Sequence, residues 1–158
     1  GQFQNDKPHG FGIFNSKIEG VYTGQFVNGM REGTGKMVYI NGDTYEGGWK
    51  RNLYHDKGSL IKKSGGLDRY DGKWENGKFS GKGICVYRDL GRLEGEFKDD
   101  KPHGTGTFSS KKGTFFDGKW VDGHRDGKAT IVTSDEKYSH TVSNGVMGKR
   151  EACFMVIP

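Results

Sequence analysis

Large apolar and polar residues alternate over short stretches of this chain, and the stretches recur at a nearly fixed interval. Tyr22, Gly24 and Phe26 share one parity. The same order returns at Tyr45-Gly47-Trp49, Tyr70-Gly72-Trp74, Leu93-Gly95-Phe97 and Phe116-Gly118-Trp120, with start-to-start spacings of 23, 25, 23 and 23 residues. The other parity is mainly charged or polar, as at Glu46, Lys50, Asp71, Lys73, Glu94 and Lys98. Side chains of a strand alternate between faces, so this period of two predicts a short strand with one apolar face. Asn28-Gly29, Asn76-Gly77 and Asp122-Gly123 then supply the left-handed pair that a two-residue hairpin requires. A return strand follows, opened by Gly33-Thr-Gly35, Gly81-Lys-Gly83 or Gly104-Thr-Gly106. One large apolar residue stands two places beyond each such position: Phe14, Met37, Leu60, Cys85, Phe108 and Ile131.

Two partial copies flank these five. Gly1-Gln-Phe3 with Pro8-His9-Gly10-Phe-Gly12 reads as the tail of an earlier copy, which suggests that the chain is a fragment. Tyr138-Ser-His140-Thr-Val142 with Asn144-Gly145 reads as a degraded last copy. The expected fold is all-β: an elongated, single-layer, twisted antiparallel sheet of consecutive hairpins, solenoid-like, over residues 1–150. Residues 151–158 form an apolar tail or cap. Such an array draws its stability from nearest neighbours, so its end repeats should be weakest. His55-Asp56 in place of His-Gly, the stretched Ser64-Gly-Gly66 exit, Arg125-Asp126-Gly127, Ala129 and His140 predict local disturbances of hairpin geometry.

Composition agrees with this picture. Glycine supplies 28 of 158 residues, roughly two and a half times its usual share of about 7%. Leucine appears only at positions 53, 60, 67, 90 and 93. Disordered chains are also glycine-rich and weakly hydrophobic, but they are poor in aromatics; here 13% of residues are Phe, Trp or Tyr. The core must therefore be thin and built from rings, with glycine leaving room for a ring to lie flat on neighbouring backbone.

Tyr45-Glu-Gly-Gly-Trp49 and Leu93-Glu-Gly-Glu-Phe-Lys-Asp-Asp-Lys-Pro-His-Gly-Thr-Gly106 resemble MORN repeats, the membrane occupation and recognition nexus motif, over about residues 1–145. The resemblance implies a non-catalytic scaffold whose groove takes an extended or helical peptide of another protein. It also implies two alternatives: a peripheral membrane adaptor, or the repeat part of a larger enzyme, since similar repeats precede SET methyltransferase and lipid-kinase domains.

The ring ladder, Tyr22, Phe26, Tyr45, Trp49, Tyr70, Trp74, Phe97, Phe116 and Trp120, supports two readings. The rings are core only, or part of the ladder lines a groove, because a one-layer sheet has nothing to cover its apolar face. A basic edge is the second candidate. Lys17, Lys62, Lys63, Arg69, Arg88, Arg92, Lys111 and Lys112 fall in the links between repeats. They could meet acidic phospholipid, at ~1 kcal/mol per cation near such a surface, or simply keep exposed loops and edges soluble, the favoured reading.

The net charge of +5 is too modest for a nucleic-acid partner. His9 and His103 sit in identical Lys-Pro-His-Gly contexts and read as part of the repeat. His124, His140 and Cys153 do not complete a tetrahedral metal set. Met37 stands where a phosphate-binding loop needs Ser or Thr, and the acids Asp99 and Asp100 fall in a turn. No catalytic set, cofactor or metal is expected. Two cysteines without metal spacing fit free thiols in a reducing compartment, and no apolar run approaches 20 residues. A soluble cytoplasmic protein is therefore expected, with a membrane or the cytoskeleton as the alternative location. The tail Ala152–Ile157 is expected to cap the last repeat, or else to join a homodimer there.

Overall fold

The computed structural model describes the backbone of residues 1–113, 115–132 and 137–142, and side chains of 1–113, 115–126 and 132. Among these residues thirteen strands form one antiparallel sheet whose order follows the chain. They are β1 (Gln2–Gln4), β2 (Lys7–Ser16), β3 (Gly20–Val27), β4 (Met30–Tyr39), β5 (Thr44–Lys50), β6 (Leu53–Ile61) and β7 (Leu67–Glu75). The series continues with β8 (Lys78–Tyr87), β9 (Gly91–Lys98), β10 (Lys101–Ser110), β11 (Phe115–Val121), β12 (His124–Val132) and β13 (Lys137–Val142). The expected all-β single sheet is what forms. Tyr138 and His140 of the degraded last copy lie in β13, which still pairs with β12. Asn144-Gly145, Cys153 and the tail Ala152–Ile157 lie outside the described residues, as does any dimer contact through them.

Turn chemistry fixes the hairpins. Asn28 and Gly29 have φ of 51° and 83°, and Asn76-Gly77 and Asp122-Gly123 match them. Arg51-Asn52 (49°, 68°) and Asp99-Asp100 (49°, 68°) adopt the same left-handed pair without glycine. Two positive φ values in a two-residue loop define the turn whose twist suits a hairpin. Just past each tip the register shifts: Gly24 pairs Gly35, but Phe26 pairs Arg31. The return strand thus carries two extra residues, a bulge that bends it and increases its twist. Gly33, in the bulge, has φ of 69°. At the corresponding point Asp56 takes the left-handed conformation itself, with φ of 57°. The His55-Asp56 departure therefore leaves the hairpin intact, because Asp tolerates this region better than most side chains. Repeat five also keeps its pairing, with Trp120 opposite Arg125.

Registration places like residues in rows across the sheet. Gly12, Gly24, Gly35, Gly47, Gly58 and Gly72 are successive partners, and Gly83, Gly95, Gly106 and Gly118 extend the row. Beside it runs an apolar row: Phe14, Tyr22, Met37, Tyr45, Leu60, Tyr70, Cys85, Leu93, Phe108 and Phe116. The rings of Tyr22, Tyr45 and Tyr70 lean over the glycine row. A Cβ on Gly35 would lie 2.6 Å from Cε2 of Tyr22, closer than any real contact. Glycine is required here because the ring occupies the space of a side chain. The core is this ring-filled face, with Met37, Cys85, Leu93 and Phe108 filling the gaps.

Candidate partner-binding face

The tyrosines and tryptophans of the ladder are held by a repeated pair of hydrogen bonds. Tyr22, Tyr45 and Tyr70 donate their hydroxyls to the carbonyls of Gln25, Gly48 and Lys73, at 3.0, 2.8 and 2.8 Å. The indoles of Trp49, Trp74 and Trp120 donate to the carbonyls of Gly35, Gly58 and Gly106 in the preceding return strand, at 3.1, 3.2 and 3.2 Å. Edge-to-face contacts then link repeat to repeat. Tyr22 meets Phe26 at 5.0 Å and Trp49 at 5.2 Å, Tyr45 meets Trp49 and Trp74, and Tyr70 meets Trp74 and Phe97. Such pairs contribute ~0.5–1.5 kcal/mol each beyond burial. Burial lifts the Tyr22 phenol to about 12 and raises Tyr45 and Tyr70 further, so all three remain donors. The same cause pushes the Cys85 thiol up to about 12, and it serves as a small apolar filler.

All nine ladder rings are buried, Phe26 being the most exposed at 8%. What packs over them on their side is a further set of residues that the sequence reading missed, partly exposed at Pro8, Arg31, Tyr54 and Phe79 and buried at Pro102 and Arg125. Tyr54 stacks on Tyr45 at 3.7 Å, and Phe79 stacks on Tyr70 at 3.8 Å. Arg31 sets its guanidinium 5.7 Å from the Tyr22 centroid and 5.1 Å from that of Trp49. Arg125 lies 4.6 Å from the Phe116 centroid. With Pro8 and Pro102 these residues keep the repeat's own spacing of 23, 23, 25, 23 and 23 residues. That period was the available signal, hidden by the chemical variety of Pro, Arg, Tyr and Phe.

An open cleft of about 730 Å³ lies on this face over the first two full repeats. Its floor holds Trp49, Tyr39, Tyr54 and Arg31. The Tyr39 and Tyr54 hydroxyls share a short hydrogen bond, and burial raises both phenols above their ordinary value. Ile18, Ile40 and Leu53 line its mouth and are 88%, 63% and 47% exposed. Glu19 reaches in to pair with Arg31 at 3.2 Å. Trp49 is the ladder ring that the cleft reaches.

The basic edge is brought together by the alternating topology, but most of its charge is engaged locally. Lys62 pairs with the buried Asp43 at 3.5 Å, Arg88 with Asp68 at 3.1 Å and Arg92 with Glu94 at 2.7 Å. Arg69 pairs with Asp71, and Lys111 donates to the Arg88 carbonyl. Burial alone would raise the Asp43 carboxyl. The Lys63 amide, the Asn41 side chain and Lys62 outweigh that effect and hold it below its usual range. Two histidines tie neighbouring hairpin tips together: His55 and His103 accept through Nδ1 from the Asn76 and Asp122 amides of the next tip, both at 3.4 Å. Among the described residues no three His, Cys, Asp or Glu side chains gather as a metal site, and no helix is long and apolar enough to cross a membrane.

Comparison with known proteins agrees with this geometry. Alsin from Rattus norvegicus and alsin from Homo sapiens are each 30% identical to the chain over 150 residues, covering 87% of it. The chain spans only 8% of the length of these relatives. The family model for the MORN repeat matches residues 1–17, 22–44, 45–67, 70–92, 94–115 and 116–136, the first partial copy and the five full ones read from the sequence. MORN repeats are generally protein or membrane interaction modules rather than catalysts. On the match of six repeats along one continuous sheet, the chain belongs to the MORN-repeat family.

Proposed function

We propose that the protein is a non-catalytic interaction scaffold that binds a peptide or helix of another protein along its ring-bearing face. The observation that carries this reading is the open cleft floored by Trp49, Tyr39 and Tyr54 and bordered by exposed Ile18, Ile40 and Leu53. A rigid aromatic floor with accessible apolar side chains is what a hot spot requires, since little ordering remains to be done on binding. The buried ladder rings Tyr22, Phe26, Tyr45, Trp49, Tyr70, Trp74, Phe97, Phe116 and Trp120 serve this role mainly as the support that fixes the outer residues. The match to a stretch amounting to 8% of alsin supports reading the array as one part of a longer protein.

The basic edge is a weaker basis for recognition of acidic phospholipid, because its cations are largely engaged by neighbouring acids and carbonyls. A paired comparison tests the choice. One variant carries Ile40→Asp and Leu53→Asp; another reverses Lys62, Lys63, Lys111 and Lys112 to Glu. The reading expects the first to lose its protein partners in pull-down while the second keeps them. Loss of association only in the second, together with loss of co-sedimentation with phosphatidylserine vesicles, would replace the groove with the edge.

A further inference from the structure

The cleft also carries information about the chemistry of its occupant. Arg31 brings a positive charge to an otherwise apolar floor, with its side chain 18% exposed. Its position is fixed by the Tyr22 and Trp49 faces and by a bond from Nη1 to the Met37 sulfur at 3.7 Å. Glu19, by contrast, projects from the link between β2 and β3 and is 47% exposed. Nothing in the strand pairing depends on that carboxylate, so it can leave Arg31 without disturbing the sheet. Lys17 and Arg51 adjoin cleft residues in the chain, and Lys63 packs near Gly42 beside Asn41. Glu32 accepts from the Arg51 amide and Asp43 from the Lys63 amide, so the acids nearby other than Glu19 are held by backbone. Among the lining residues Arg31 is the one cation and Glu19 its one counter-charge.

Exposed apolar side chains concentrate at the same end. The large hydrophobic residues exposed among those described lie within residues 1–61. Ile18, Ile40 and Leu53 border the cleft, while Ile13, Val21, Val38 and Ile61 stand on the opposite face. Farther along, Tyr87 at the position equivalent to Tyr39 is only 5% exposed, and Leu67 and Leu90 pack against the core there. The later repeats have covered their own face, whereas the first two full repeats have left theirs open.

We propose that this cleft receives an apolar segment of a partner protein bearing an Asp or Glu, whose carboxylate takes the Arg31 guanidinium from Glu19. Aliphatic or aromatic side chains of the segment pack among Ile18, Ile40 and Leu53. A carboxylate bound to guanidinium in a desolvated setting is stronger than the same pair in water, and the exchange leaves Glu19 free to return to solvent. The inference rests on the proposed function and adds the sign of charge and the location.

Peptides selected from a random display library on the intact protein provide the probe. The expected consensus combines large apolar residues with at least one acid. Binding of a synthetic consensus peptide should weaken about tenfold or more in Ile40→Asp and in Leu53→Asp, the scale of a hot-spot residue. Changing the peptide's acid to its amide should weaken binding to the unaltered protein and leave binding to Arg31→Gln unchanged. Circular dichroism and thermal melting establish that each variant is folded; the two cleft-mouth variants keep the test decisive should Arg31→Gln not fold. Selected peptides that are basic or uncharged, or that Ile40→Asp and Leu53→Asp leave unaffected, overturn this inference while leaving protein binding elsewhere on the face intact. Recovery of no peptide above the background of the double variant overturns both readings. Phosphatidylserine vesicles that bind the unaltered protein and not the cleft variants overturn it in favour of a membrane.

Discussion

Tyr22, Gly35 and Trp49 form the smallest unit from which this protein is built. The phenol covers the glycine, the indole donates to that glycine's carbonyl, and the two rings meet edge to face. Gly35→Ala should destabilise the protein by about 1–3 kcal/mol in urea titration, since the ring must move off its hydrogen bond. Gly66→Ala, where a Cβ meets nothing within 4 Å, should stay within about 0.5 kcal/mol. The buried phenols make a second prediction. Their folded pKa values are raised above the unfolded value of about 10, so the folded state holds protons that the unfolded chain releases. Stability should be level up to about pH 9 and fall as pH rises from about 10 through 12, measured by melting temperature. Tyr45→Phe should flatten that fall. Aromatic and glycine positions were legible because they repeat in type; the stacking position of Arg31, Tyr54, Phe79, Pro102 and Arg125 was not, because it repeats only in place.

The hairpin is the next scale, and its tip was readable where Asn-Gly or Asp-Gly occurs. Arg51-Asn52 and Asp99-Asp100 make the same turn with no glycine, held by the pairing of Lys50 with Leu53 and of Lys98 with Lys101. Inter-repeat bonds also help, as where the Asn52 amide donates to the Arg31 carbonyl at 3.1 Å. The bulge past the tip could not be read, because alternation alone does not reveal two extra residues on one strand. Asp56 sits in that bulge with a left-handed backbone. Asp56→Gly should therefore stabilise the protein by about 0.5–1 kcal/mol, by analogy with other strained non-glycine sites, as a shift in urea midpoint at constant slope. A lower midpoint would mean that the Asp side chain supports the bend.

At the scale of the whole molecule, each strand touches its neighbours in the chain, and among the described residues the sheet has no second layer. Removal of residues 22–44, one matched repeat, should then leave a folded sheet by circular dichroism, with a smaller urea slope and without the cleft. The elongated all-β architecture was open to reading from the period alone, whereas the site was only partly so. The sequence identifies which face is apolar. It does not show that the ladder rings bury one another, that the edge cations find local partners, or that the first two full repeats leave a cleft on the ring-bearing face. Those outcomes depend on neighbours 20 or so residues apart, such as Arg31 with Trp49 and Lys62 with Asp43.

The central claim is that partners bind on the ring-bearing face, and isoleucine methyl NMR tests it most directly. Ile18 and Ile40 border the cleft, while Ile13, Ile61 and Ile84 pair with Thr23, Thr44 and Asp71 on the opposite face. Titration with a selected peptide should shift or broaden the Ile18 and Ile40 methyl signals and leave the other three in place. Perturbation of Ile13, Ile61 and Ile84 with Ile18 and Ile40 unmoved would contradict the account.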